Sequence, residues 1–193
     1  KIQIMKKLFL LLILTLNSLL LSAQKHFTIK GITMDGPYQT FMKEMEEKGL
    51  KTIIKQDEGC AMKGKFAGKD ATFFIIGTPK SKTVWRVRID FEKKNEWSDL
   101  LNEFVEMTKH YTTKYGEPED KFMKTVKPYE IGDGKEMEAL KDEKILFVYF
   151  YNLDEGMISV EISKDQCISI KYEDKINTEL ETSERESVIA DDI

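Results

Sequence analysis

Between Trp85 and Phe91 the chain alternates without a break. Trp85, Val87, Ile89 and Phe91 fall on one side of an extended strand, and Arg86, Arg88 and Asp90 fall on the other. Strand side chains point to opposite faces in turn, so this pattern requires a sheet with one face buried and one face wet. Parallel sheets are covered on both faces and read as continuous apolar runs. The strand therefore predicts an antiparallel sheet, and it requires another layer to cover its apolar side.

Two amphipathic segments supply that layer. Trp97, Leu100, Leu101, Phe104, Thr108, Tyr111 and Tyr115 recur at helical spacing, with Val105 and Met107 widening the stripe. Asn95 is placed to cap this helix, Gly116 ends it and Pro118 prevents continuation. A shorter helix follows Gly36-Pro37, with Tyr38, Phe41, Met42 and Met45 on one face and Gly49 as its stop.

The remaining segments read as strands. They are 27–32, 50–56, 60–66 and 71–77 before the longer helix, and 122–126, 145–151, 157–163 and 166–172 after it. The segment 136–140 fits either a strand or a helical turn. Residues 174–181 predict a short helix, and 182–193 a polar C-terminal tail. The fold class is α+β. About eight antiparallel strands form two helix-plus-meander units, about 27–94 and 95–181, within one domain spanning 24–181, with the helices on one face.

The N-terminus is of another kind. Lys6 and Lys7 precede an apolar run from Leu8 to Leu21, and Ser22-Ala23-Gln24 follows. A basic start, a short apolar core and small residues at the end form a secretory signal peptide, expected to start at Met5 and be cut after Ala23. A membrane anchor needs about 20 apolar residues, and this run contains Asn17. The expected location is periplasmic or secreted, with no transmembrane segment in the mature chain. Losing Lys1, Lys6 and Lys7 takes the formal net charge from -4 to -7 over 170 residues, which argues against a nucleic-acid partner.

Familiar chemistry is sparse. Of the two histidines, His26 lies near the mature terminus. His110 sits off the apolar stripe of the long helix with no nucleophile motif beside it. Gly64, Gly68 and Gly77 do not form a phosphate loop, Asn152, Asp154 and Glu155 read as a hairpin turn, and Glu136 and Glu138 do not by themselves mark a glycosidase. No metal site, cofactor or catalytic residue is expected. Cys60 and Cys167 are a candidate disulfide in an oxidising compartment, or two unpaired small side chains.

Charge is unevenly distributed. Residues 55–94 hold ten basic and five acidic side chains, whereas 133–193 hold seven basic and 17 acidic. Lys63, Lys65, Arg86 and Arg88 all fall on the wet side of their strands. They form a platform for an acidic protein or an anionic envelope ligand, or else a plain solvated face or one paired internally with the acidic C-terminal part.

Lys114-Tyr115-Gly116-Glu117-Pro118 closing an amphipathic helix, the strand around Trp85 and the leader ending Ser22-Ala23-Gln24 resemble small exported proteins of unknown function abundant in Bacteroidota. That resemblance spans most of the chain and implies no activity. The element order is also similar to the β-lactamase-inhibitor-protein-like fold, which implies one long sheet with an exposed face for a protein partner. No functional residue of that family matches by position. The expected function is an exported non-enzymatic binding or interaction protein that uses this sheet face. The alternative is a cell-envelope hydrolase whose catalytic residues are scattered in sequence.

Overall fold

Two antiparallel meanders join edge to edge into one long sheet. A computed structural model describes residues 25–192 of the chain, and the expected leader at residues 1–23 lies outside the described residues. The first meander is β3 (Lys51–Gln56), β4 (Gly59–Phe66), β5 (Lys69–Gly77) and β6 (Val84–Phe91). The second is β7 (Asp120–Thr125), β8 (Ile145–Leu153), β9 (Gly156–Ser163) and β10 (Cys167–Asp174). The strand order is β3-β4-β5-β6-β10-β9-β8-β7, antiparallel throughout, so the last strand of each meander lies at the centre. The protein is α+β, as the alternation at 85–91 implied.

The covered side of this sheet is the core. Val87 and Ile89 of β6, Phe73 and Ile75 of β5, Ile158 and Val160 of β9, and Ile168 and Ile170 of β10 are all buried there. Helix α1 (Tyr38–Glu47) adds Tyr38, Phe41 and Met45, and the longer α2 (Trp97–Tyr115) adds Leu100, Phe104, Met107 and Tyr111. Burying each large side chain is worth about 1.5–3 kcal/mol, which makes this face the main source of stability. Gly116 closes α2 at φ 89°, a conformation that L side chains avoid. The helix starts after Glu96, with no side-chain cap from Asn95.

The structure corrects two local expectations, at 27–32 and at Trp85, and decides one left open, at 136–140. The segment 27–32 is a tight hairpin, β1 (Thr28–Ile29) with β2 (Ile32–Thr33), because Lys30 and Gly31 both take positive φ and reverse the chain. The segment 136–140 is helical, α3 (Glu136–Lys141), and adds Ala139 and Leu140 to the core. The other correction concerns Trp85. Arg86 pairs with Ile76 while Val84 pairs with Gly77, which leaves Trp85 in a bulge. One extra residue shifts the alternation, so Val84, fully buried, takes the core position and Trp85 leaves it.

The C-terminal helix α4 (Lys175–Asp192) is longer than expected and takes in most of the anticipated tail. Its polar residues have partners in the β5–β6 loop. Glu184 accepts the Lys80 and Ser81 backbone N–H groups at 2.7 and 3.0 Å, and the Lys80 ammonium donates to Asp191 at 2.9 Å. At its start, fully buried Asp174 accepts from His26 Nδ1, Phe27 N and Asn177 N at 3.0–3.1 Å, which fastens the β1–β2 segment to the sheet end. Among the described residues no helix is long and apolar enough to cross a membrane.

Candidate functional site on the open sheet face

The other side of the sheet is read directly from the strand register. One row crosses Ile54, Ala61, Phe74, Arg88, Lys171, Ser159, Phe150 and Asp120. The row beside it includes Ile76, Arg86, Glu173 and Met157. On the opposite flank lie Lys63, Thr72, Asp90, Ser169, Glu161, Val148 and Phe122. The centre of the face is charged and both wings are largely apolar.

The four basic residues singled out from sequence all lie here, in two separate pairs. Lys63 and Lys65 are on β4, and Arg86 and Arg88 are on β6, with β5 between them. That places the pairs about 10 Å apart across the sheet. Lys65 pairs with Asp70 at 3.2 Å, Arg86 with Glu173 at 2.6 Å and Arg88 with Asp90 at 3.2 Å. Of the readings left open by sequence, pairing with the acidic C-terminal part holds for Arg86 alone, through Glu173; Lys65 and Arg88 pair with Asp70 and Asp90 of the first meander, and Lys63 has no ion-pair partner among the described residues.

Both arginines also stack on aromatic rings. The Arg86 guanidinium lies 4.0 Å from the Trp85 ring centre, and that of Arg88 lies 4.2 Å from the Phe74 ring centre. Such stacking holds the planar group in place while leaving its edge donors available. Trp85 Nε1, Arg86 Nε and Arg88 Nε are buried donors without an acceptor among the described residues. An unmet buried donor costs about 1–3 kcal/mol, so the arrangement is held at a local cost, while the Arg86 and Arg88 side chains stay 34% and 37% exposed.

Arg88 stands between two shallow grooves. One, of about 430 Å³, is lined by Ile54, Ala61, Phe74 and Ile76. The other, of about 510 Å³, runs past Lys171, Glu161, Leu146 and Lys124. Burial holds the Asp90 carboxyl above its usual value, against the hydroxyl donated by Ser169 at 2.8 Å and the Arg88 charge. Sequence reasoning missed Trp85, Phe74 and Ile76 as members of this face. The bulge has no signature in the alternating pattern, and 71–77 carries apolar residues at both parities.

The cysteines do not form the candidate disulfide; Cys60 and Cys167 are both free and buried. Cys60 packs in the core, whereas Cys167 shares the open side with Ser169. Two strands separate β4 from β10, a span of about 14 Å, far beyond the ~7 Å Cα limit for a bridge. Burial pushes the two thiols up to about 11 and about 12, respectively, with Glu46 adding to the first and Asp90 to the second.

The other candidate chemistry is dispersed. His110 is exposed on α2, with Nε2 3.9 Å from a Glu106 oxygen, and Glu106 is itself held below its usual value by Lys69. Glu136 is buried and accepts the Gly132 N–H at 2.7 Å. Among the described residues no group of three or more His, Cys, Asp or Glu side chains is placed to hold a metal ion. Comparison with known proteins finds no matching family model, no similar curated protein and no similar solved structure.

Proposed function

We propose that the chain is an exported, non-enzymatic binding protein that seats an acidic protein partner on its open sheet face. The observation that carries this reading is the pair Arg86 and Arg88, each stacked on an aromatic ring and half-buried, with Arg88 lining both grooves. Carboxylate oxygens are the natural acceptors for guanidinium edges already fixed by ring stacking. The apolar wings, with Ile54, Phe74 and Ile76 on one side and Leu146, Phe150 and Phe122 on the other, suit apolar side chains that flank those carboxylates. A central patch of tryptophan and arginine ringed by weaker contacts is the usual composition of a protein–protein hot spot.

The test is charge reversal. Arg86→Glu with Arg88→Glu should abolish capture of the partner from envelope extract, and Lys63→Glu should weaken it only slightly. A photo-crosslinker at position 74 should label the same partner. Unchanged capture by the double reversal overturns this placement of the site. Arg86→Met and Arg88→Met, which add no repulsion against Glu173, separate lost recognition from lost folding.

A further inference from the structure

The sheet has two outer strands, and they are guarded differently. On β3 the register slips between Thr52 and Ile54, a bulge that breaks the ladder a neighbouring strand would need. On β7 all six residues pair in an unbroken register, from Asp120 with Phe150 to Thr125 with Ile145. Phe122 is 37% exposed and Met123 48%. Over these six residues the edge has no bulge, and it carries apolar side chains on both of its faces.

Backbone parity restricts what can pair with it. Val126 N donates to Lys144 O at 2.8 Å, and bonded and non-bonded pairs alternate along an antiparallel ladder. Asp120, Phe122 and Lys124 therefore bond inward to β8. Lys121, Met123 and Thr125 direct their backbone groups outward. A second β7, antiparallel to the first, can meet these groups only if odd-numbered residues face odd-numbered residues. Such a pairing must be centred on a residue.

The charges select one centre. Lys121 is already paired with Glu117 at 2.8 Å. Asp120 and Lys124 have no ion-pair partner among the described residues. Centring on Phe122 places Asp120 opposite Lys124 of the second copy, twice by symmetry, and Phe122 opposite Phe122. Centring on Lys121 opposes that lysine to itself, and centring on Met123 sets Phe122 against Lys124. Opposite charges directly across a strand pair stabilise it, and like charges destabilise it.

We propose that β7 is a homodimer edge: two copies of the chain pair antiparallel through β7, in the register centred on Phe122. Lys121 and Met123 exchange backbone hydrogen bonds with their counterparts. The edge-to-face contact of Phe122 with Phe150, centres 6.1 Å apart, extends into a row of four rings. The molecule already joins its own two halves in this way, with Arg86 and Glu173 paired across the β6–β10 seam. The twofold axis is normal to the sheet, so the two open faces lie on the same side of the dimer. An edge contact buries less than the ~1,200–2,000 Å² of a standard interface, so the dimer is reversible.

Sedimentation velocity of the purified protein over about 10–500 µM, a range that spans weak association, tests this proposal. The wild type should shift from monomer to dimer as concentration rises. Asp120→Lys alone and Lys124→Asp alone should each weaken the dimer by roughly tenfold or more, because each creates like-charged pairs. An equimolar mixture of these two variants should restore it, because both heteromeric pairs are then opposite in charge. Phe122→Thr, which keeps strand preference, should also lose the dimer, and thermal melting monitors folding of every variant. A wild type that stays monomeric, single reversals that leave the dimer intact, or a mixture that fails to recover it each overturn the proposal. This inference does not depend on the open-face reading, because partner capture through Arg86 and Arg88 is measured separately.

Discussion

The two faces of the sheet come from the same strands but are held in place by different means. On the covered face, Phe104 meets the rings of Phe147 and Tyr149 edge-on at 6.0 and 5.2 Å, and the neighbouring residues are apolar and packed by helices. On the open face, order comes from ion pairs and ring stacking: Arg86 with Glu173 and Trp85, and Arg88 with Asp90 and Phe74. Packing stabilises strongly and specifies little chemistry. Half-buried paired charge stabilises weakly but keeps donors in fixed positions. A face that must recognise something has reason to be built in the second way.

Substitutions can test that contrast, beginning with the largest effect. Phe104→Ala should cost about 3–5 kcal/mol in urea unfolding, and partner capture per folded molecule should stay unchanged. A cost below about 1 kcal/mol would place the stabilising layer elsewhere. Asp174→Ala leaves the Phe27 and Asn177 N–H groups without their acceptor and should cost about 2–3 kcal/mol. Hydrogen exchange should then rise over residues 25–34, the segment it fastens.

Open-face changes should reverse the balance. Arg88→Met should shift stability by no more than about 1 kcal/mol, yet remove most partner capture. A large stability loss with intact capture would erase the distinction between the faces. The smallest effect belongs to Asp90. Burial raises its carboxyl above the usual 3.8, so the folded chain holds this proton more tightly than the unfolded one. Its contribution is therefore most favourable in acid and is lost as pH rises through the raised value. Asp90→Asn retains an acceptor for Ser169 and should gain on the wild type, by less than about 1 kcal/mol, near neutral pH. The gap should close as pH falls below 4 in a urea series.

Much of this architecture can be read from local pattern. The alternation of Val87, Ile89 and Phe91 against Arg86, Arg88 and Asp90 identified a half-buried strand, and the stripe from Leu100 to Tyr111 identified its cover. Those signals arise within one element, where period and burial are coupled directly. The bulge at Trp85 is a property of two strands together, since it exists only in the pairing with β5. The seam between β6 and β10 joins segments with no local signal for each other. The length of α4 depends on Lys80 and Ser81, about a hundred residues earlier in the chain. Arg86 and Arg88 were therefore found as face residues, while their ring and carboxylate partners came only with tertiary contacts.

The position of that seam also bears on how the chain reaches its native state. Asp90 and Ser169 lie 79 residues apart, and joining such distant points costs about 4 kcal/mol of chain entropy before any central contact repays it. High contact order of this kind slows folding. During emergence from N- to C-terminus, the first meander is complete at Phe91, but β6 waits as an open edge until Cys167 to Asp174 arrive. Over that interval the exposed ladder can pair with any extended segment nearby, including β6 of another unfinished chain. Fragments ending before Cys167 should therefore aggregate rather than persist as stable half-molecules, and a holding chaperone should raise the yield of the full chain.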